Sequence, residues 1–244
     1  MGSESIEASF LSIFSLISFF IFLIVSKYSL KIRRGALLDS DFAKPQAFHE
    51  YPVTRSGGIG AIVCLIIFFY FYYLVYEKIL YDYILISFSM FLIGFLDDLQ
   101  IKIKPLKRLL AMVFLLFIFI FFLPIKISNI DIPFLKILMS SHLFSSIFVL
   151  LCFLFIINGA NLIDGFNGLL SINLLIVNVV LAYINLNSAN QEFAFLIIGQ
   201  IIILLIFLFF NFPNSKIFLG DSGAYLMGSL IALNTIITNN LNPN

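Results

Sequence analysis

Residues 193–210, FAFLIIGQIIILLIFLFF, contain one polar side chain, Gln200, in a run of 18 residues. A helix that crosses the hydrocarbon core of a bilayer needs roughly 20 mostly apolar residues. The run is apolar on all faces, whereas a strand of a membrane barrel would alternate over about 10 residues. The stretch therefore predicts a membrane-spanning helix. Seven further stretches fit the same description: Ile6–Ser26, Ile59–Tyr76, Tyr81–Leu96, Leu109–Leu123, Leu143–Ile157, Leu169–Ile184 and Ala224–Ile237.

The composition of the whole chain agrees with a membrane bundle. Of its 244 residues, 61% are hydrophobic and 11% are charged, whereas a soluble domain carries about 25% charged residues. This excludes a soluble globular protein and a disordered one, and two cysteines exclude a disulfide-stabilised scaffold. A net charge of +1 gives no general attraction to nucleic acid, so we expect no such partner. The predicted fold is all-α, a single polytopic transmembrane domain over residues 1–244 with about eight spans.

The distribution of Lys and Arg predicts how the bundle is oriented. Eight alternating spans place 11 basic residues in the loops 27–58, 97–108, 158–168 and 211–223, and three in the loops of the opposite side. Cytoplasmic loops carry the excess of basic residues, so the first set is predicted to be cytoplasmic and the N-terminus to lie outside. Residues 1–9 carry two Glu and no Lys or Arg, so the first span lacks the positive start of a cleaved signal peptide.

Three acidic motifs fall at the predicted cytoplasmic ends of spans. The first, GFLDDL, places Asp97 and Asp98 after the third span, with Lys107 and Arg108 further along the same loop. Two adjacent carboxylates repel each other unless a cation lies between them, and Mg²⁺ commonly uses one or two carboxylates together with substrate phosphates. The alternative is a solvated helix end that only terminates the span.

The second motif, NGANLIDGFNG, follows the fifth span. Its Asn158, Asn161 and Asp164 are spaced by three residues, so on a helix they would project from one face. The alternative is an Asn/Gly-rich turn, which explains the glycines but not the polar stripe. The third motif, FLGDSG, places Asp221 at the start of the eighth span. There it either only caps the helix or belongs to a helix end that attracts an anion.

A fourth element, PVTRSGGIG at residues 52–60, leads into the second span with Arg55 beside glycines. Such a helix entry can bind phosphate, and the alternative is a helix start with small packing residues. Three acidic motifs and basic residues on one side together predict a metal-and-phosphate site at the cytoplasmic face. The alternative of another class is a transporter, which would need acids near the span centres, and these are almost free of charge.

These four motifs, in this order along the chain with PVTRSGGIG first, resemble those of the polyprenyl-phosphate N-acetylhexosamine-1-phosphate transferases. The resemblance extends from about Lys44 to the end of the chain. It implies a transmembrane helix bundle in the bacterial inner membrane with its active site on the cytoplasmic face. It also implies transfer of a sugar-1-phosphate from a UDP-N-acetylhexosamine to a polyprenyl phosphate lipid, with release of UMP, at the start of cell-wall or surface polysaccharide synthesis. The implied cofactor is Mg²⁺, with Mn²⁺ as a substitute, and a homodimer is compatible with it.

The resemblance also implies roles for particular residues. Asp97 and Asp98 match the aspartate pair that handles the lipid phosphate and the metal-bound diphosphate. Asp97 is the candidate base, and a covalent aspartyl intermediate is the alternative. Asp164 matches an aspartate associated with Mg²⁺, and Asp98 and Asp221 are further candidate ligands. The candidate substrate-binding residues are Asn158, Asn161, Asn167, Lys107, Arg55 and Asp221.

Two features depart from the family pattern. Asn167 stands where many members have a second Asp, and an amide can ligate a metal but cannot act as a base. The chain ends at Asn244, where the family continues into further spans and a cytoplasmic loop with a His-x-His motif. We therefore expect a natural short form, a truncated product or one half of a split transferase. A catalytically inactive remnant is the alternative to an active enzyme.

Overall fold

The structure is a computed structural model that describes residues 3–29, 37–39, 53–101, 103–123 and 125–243. Within these residues it contains nine α-helices and one two-stranded sheet. The helices are α1 Ser3–Ser29, α2 Gly57–Tyr76, α3 Tyr81–Asp98, α4 Pro105–Phe122, α5 Pro133–Met139, α6 His142–Ile163, α7 Leu169–Asn187, α8 Gln191–Asn211 and α9 Gly220–Leu241. The strands are β1 Leu38–Asp39 and β2 Val53–Thr54, which pair antiparallel.

Each of the eight predicted spans coincides with a helix, and α5 is an additional short helix in a predicted outer loop. Six of these helices, α1, α2, α4, α6, α7 and α8, are long and apolar enough to cross a membrane. α3 carries three Asp, and α9 is rich in Gly, Ser, Thr and Asn. The prediction of an all-helical membrane protein is thus confirmed, whereas the count of eight spans and the external N-terminus stay predictions.

Part of the sequence evidence lies outside the described residues. It includes four basic residues of the predicted first cytoplasmic loop, a fifth in the next one, and the proline that opens the Gly-rich element. These residues are Lys31, Arg33, Arg34, Lys44, Lys102 and Pro52.

α9 is the central helix of the bundle. It packs against α2, α3, α6 and α7, and 16 of its 22 residues are buried. Because it is enclosed by other helices, it needs no apolar surface toward lipid, and small residues allow its neighbours to approach closely. A Cβ atom at Gly228 would lie 3.1 Å from the Ile157 Cα in α6. The modest hydropathy of α9 therefore follows from its position in the bundle.

A buried network of amides joins α9 to three neighbouring helices. The Tyr83 hydroxyl donates to Asn234 Oδ1 at 2.7 Å. Asn234 Nδ2 donates to Asn178 Oδ1 at 2.9 Å and to Gln200 Oε1 at 2.7 Å. All four residues are buried, and hydrogen bonds of this kind between membrane helices contribute about 0.6–2 kcal/mol each. The single polar residue of the run 193–210 is therefore hydrogen-bonded to the central helix.

Candidate active site

Two of the acidic motifs meet where the end of α3 contacts the start of α9. Asp98, the last residue of α3, accepts the Asp221 N–H at Oδ1 (3.0 Å) and the Ser222 N–H at Oδ2 (2.9 Å). It thereby satisfies two amides in the first turn of α9 that have no partner within the helix. The Asp98 side chain is fully buried, and Arg55 Nη1 lies 3.8 Å from its Oδ1. Asp98 thus fixes α3, α9 and the Arg55 segment relative to one another.

Two glycines make this junction possible. A Cβ atom at Gly94 in α3 would overlap the backbone carbonyl group of Asp221. Gly220 has a φ of 75°, and a Cβ atom there would lie 2.7 Å from Asp98 Oδ2. Only glycine combines this backbone conformation with such a close approach. Gly94 of GFLDDL and Gly220 of FLGDSG are therefore explained by the contact between these two motifs.

Arg108 connects the remaining two carboxylates of the junction. Its Nη1 lies 2.6 Å from Asp97 Oδ2 and 2.9 Å from Asp221 Oδ2. The guanidinium group also lies over the ring of Tyr225, 5.6 Å from the ring centroid. Lys107, the predicted substrate-binding residue, is exposed. Neighbouring residues of a helix point in different directions, so α4 directs Arg108 toward the acids and Lys107 away from them.

The Gly-rich element runs alongside the chain segment that precedes α9. The N–H groups of Gly57 and Gly58 donate to the carbonyl oxygens of Phe218 and Leu219, both at 2.8 Å, and the Phe218 N–H donates to Thr54 at 2.9 Å. Two of the amides at the start of α2 are therefore occupied by protein carbonyl groups. What this element contributes to the acidic site is the Arg55 side chain.

Asp164 joins the same group of charges from the end of α6. Asp164 is half-buried and directly follows the last residue of α6. Burial, together with a smaller effect from the charge of Asp98, raises the pKa of Asp164 to about 7, and Arg55 opposes the shift. Asn158 and Asn161 lie on α6, and Asn158 Nδ2 donates to the Leu154 carbonyl at 2.8 Å. Asn158 and Asn161 therefore lie on the helix that Asp164 follows.

The loop after Asp164 is held by Asn211, a residue that the sequence reasoning did not select. Asn211 Oδ1 accepts the Gly168 N–H at 2.6 Å, and its Nδ2 donates to the Ile217 carbonyl at 2.9 Å. Asn167 Nδ2 donates to the Pro213 carbonyl at 3.0 Å. Asn167 and Asn211 therefore join the loop before α7 to the loop before α9. No local motif marks Asn211, which is the last residue of an apolar helix.

The donor set of the site suits a hard divalent cation. Four aspartates and two arginines share it, so the acidic side chains outnumber the basic ones by two. In the described part of the chain, no group of three His, Cys, Asp or Glu is placed to hold a metal alone. Mg²⁺ commonly takes only one or two carboxylates and completes its shell with water and substrate phosphates. Both Asp98 oxygens already accept amide N–H groups, so Asp98 is less available to a metal than the other three aspartates.

Fold and site together define a polytopic helical membrane protein with an acid-and-arginine site where its helix ends meet. The model of "Glycosyl transferase family 4" matches residues 79–239, a segment that contains Asp97, Asp98, Asp164 and Asp221. The chain belongs to this family, which confirms the resemblance that the motifs indicated.

Comparison with individual proteins gives the same result. The chain is 29% identical over 231 residues to the phospho-N-acetylmuramoyl-pentapeptide-transferase of Dictyoglomus turgidum, covering 91% of this chain and 73% of that protein. It is 25% identical over 224 residues to the undecaprenyl-phosphate alpha-N-acetylglucosaminyl 1-phosphate transferase of Thermotoga maritima, covering 91% and 63%. A phospho-N-acetylmuramoyl-pentapeptide-transferase of Clostridium perfringens is 32% identical over 153 residues, which cover 59% of this chain and 48% of that protein.

Proposed function

We propose that the chain transfers an N-acetylhexosamine 1-phosphate from a UDP-sugar to a polyprenyl phosphate lipid. An oxygen of the lipid phosphate forms a bond to the sugar-bearing phosphorus, and the bond from that phosphorus to the bridging oxygen breaks, so UMP leaves. The observation that carries the proposal is the meeting of Asp97, Asp98 and Asp221 with Arg55 and Arg108 where helix ends converge. The names of the Dictyoglomus and Thermotoga relatives, a phospho-N-acetylmuramoyl-pentapeptide-transferase and an undecaprenyl-phosphate alpha-N-acetylglucosaminyl 1-phosphate transferase, support it.

Mg²⁺, or Mn²⁺ in its place, would be held by Asp221 and Asp164. When bound, it would neutralise charge on the diphosphate and on the departing UMP. The raised pKa of Asp164 supports this assignment, because a bound cation would offset the cost that burial places on the charged carboxylate.

The protein's own groups position the two substrates. Asp97 is the most exposed carboxylate of the junction, with 28% of its side chain accessible against 18% for Asp221 and none for Asp98. We assign Asp97 to the lipid phosphate, as the acceptor of its proton. Arg55 and Arg108 are assigned to phosphate oxygens, since a guanidinium group binds phosphate through two parallel hydrogen bonds. Asp98 acts through the others, because it fixes the start of α9.

The polar residues around this centre are assigned to the nucleotide sugar. Asn158 and Asn161 lie on α6, the helix that Asp164 follows, whereas Lys107 is exposed on α4 and is not assigned to the nucleotide. Asn167 holds the loop before α7 in place. We place the site at the cytoplasmic face of the bacterial inner membrane. The reaction joins a water-soluble nucleotide sugar to a lipid phosphate, and the two can meet only at the membrane surface.

The test is UMP release by the protein in lipid nanodiscs that contain undecaprenyl phosphate. UDP-GlcNAc and UDP-MurNAc-pentapeptide are supplied separately, each with Mg²⁺ and with EDTA, and UMP is quantified by chromatography. We expect release with one donor, with Mg²⁺ only, and only when the lipid phosphate is present. The Dictyoglomus turgidum relative serves as the positive control. Absence of release from this chain with either donor, in a preparation where the relative is active, would contradict the proposal.

A further inference from the structure

Two carboxylate oxygens at the junction converge on a single nitrogen atom. Asp97 Oδ2, from the end of α3, and Asp221 Oδ2, from the first turn of α9, lie 2.6 Å and 2.9 Å from Arg108 Nη1. The two acid side chains also adjoin each other. All three side chains are largely shielded from solvent, with 18–28% of their surface accessible. One guanidinium nitrogen thus occupies the point at which two carboxylates face each other.

This arrangement requires a cation and is not specific for arginine. Two carboxylates held side by side repel each other unless positive charge lies between them. A divalent ion bound to Asp221 Oδ2 would lie roughly 2.0–2.1 Å from that oxygen, beside which the Arg108 nitrogen now lies at 2.9 Å. A metal ion held by Asp221 and the Arg108 nitrogen therefore compete for the same carboxylate oxygen.

We propose that Arg108 competes with the metal ion for Asp221. Arg108 neutralises Asp97 and Asp221 until the metal ion displaces it. The inference rests on the proposed metal-dependent transfer and adds a switch to the same site. Tyr225 lies next to the guanidinium group, whose central carbon is 5.6 Å from the ring centroid. The Tyr225 hydroxyl is buried and has no hydrogen-bond partner in the described residues, so it offers an acceptor to the displaced arginine. Release of Arg108 from the acids also makes its donors available to a phosphate.

The experiment measures Mn²⁺ affinity in the absence of nucleotide and polyprenyl phosphate. Purified protein in nanodiscs is titrated with Mn²⁺, and free Mn²⁺ is followed by electron paramagnetic resonance. We expect Arg108→Gln to bind Mn²⁺ about tenfold more tightly than the wild type, because the competing cation is gone. Lys104→Gln is the matched control. It removes the same charge from an exposed residue one turn earlier, and we expect its affinity to stay within about twofold.

A second variant and a second measurement distinguish the expected effect from misfolding of Arg108→Gln. Arg108→Lys keeps the charge but cannot reach both carboxylates as well, so its Mn²⁺ affinity should lie between those of the wild type and Arg108→Gln. Saturating Mn²⁺ should also raise the unfolding temperature more in Arg108→Gln than in the wild type, since the metal-free variant has two unpaired acids.

Equal or weaker Mn²⁺ binding by both Arg108 variants would overturn the inference, because it would show that guanidinium and metal bind side by side. The measurement needs no turnover. A chain that binds Mn²⁺ as expected but releases no UMP would refute the proposed function and leave the competition intact.

Discussion

α9 takes part in two buried polar clusters that differ in one respect. Around Asn234, in the interior of the bundle, neutral side chains satisfy one another: Tyr83, Asn178 and Gln200 all bond to the same amide. Near the start of α9, four acidic side chains share a site with two arginines. A neutral and complete network contributes to helix association, whereas an incomplete charge balance leaves a requirement for a further cation. We therefore expect the first cluster to stabilise the bundle and the second to take part in the metal-dependent reaction.

The largest effect is expected at the charged cluster. Asp221→Asn removes a charge without changing the shape of the side chain, so we expect UMP release to fall at least about 100-fold, as when a preorganised electrostatic contact to the transition state is lost. The rate of UMP release at saturating donor and Mg²⁺ checks this. Asn173→Leu, an exposed change on α7, is the control and should retain the full rate. Near-normal UMP release by Asp221→Asn would show that the charged cluster does not take part in the reaction.

A second prediction concerns pH. Because the pKa of Asp164 is raised to about 7, a proton competes with the metal below that pH, and Mn²⁺ affinity should fall by up to about tenfold per pH unit from pH 7 to pH 5. In the metal-free protein this group has the opposite effect on folding. A raised pKa stabilises the folded state at low pH, and this contribution is lost as pH rises through about 7.

Asp164→Asn separates the contribution of this group from those of other titrating residues. The variant should bind Mn²⁺ more weakly at pH 8, and its affinity should depend less on pH than that of the wild type. A wild-type affinity that is constant between pH 5 and pH 7 would show that Asp164 does not face the metal.

The neutral cluster should respond in stability and not in metal dependence. Asn234→Leu leaves three buried polar side chains without their partner, so we expect the free energy of unfolding to fall by about 2 kcal/mol. The Mg²⁺ concentration at half-maximal UMP release should stay unchanged. Unfolding in mixed detergent micelles and a Mg²⁺ titration measure the two effects. A shifted Mg²⁺ midpoint would show that the two clusters are coupled through α9.

The smallest effect is expected at the edge of the charged cluster. Lys107→Gln removes an exposed charge that lies next to Arg108 in sequence but points away from the acids. We expect the KM for the UDP-sugar to change by no more than about twofold. A change of tenfold or more would show that Lys107 contacts the nucleotide directly.

Much of this architecture is predictable from local patterns. Apolar runs predict the helices, and the acidic motifs predict which residues meet, since Asp98 and Asp221 are indeed in contact through the start of α9. Partners far apart along the chain are not predictable in this way. Arg108 and Asp221 are separated by 113 positions, and the choice between Lys107 and Arg108 depends on the rotation of α4 about its axis. Asn211 could not be selected, because its role depends on two loops that only the fold brings together.

The central claim is that the charged side chains at the start of α9 carry out metal-dependent sugar-1-phosphate transfer. The amides further along α9, by contrast, hold the bundle together. The most direct measurement is UMP release as a function of Mg²⁺ concentration for the wild type, Asp221→Asn and Asn234→Leu in the same nanodiscs. We expect the wild type and Asn234→Leu to saturate at the same Mg²⁺ midpoint and Asp221→Asn to release almost no UMP. Release that persists in Asp221→Asn, or that is as fast in EDTA as in Mg²⁺, would contradict the claim.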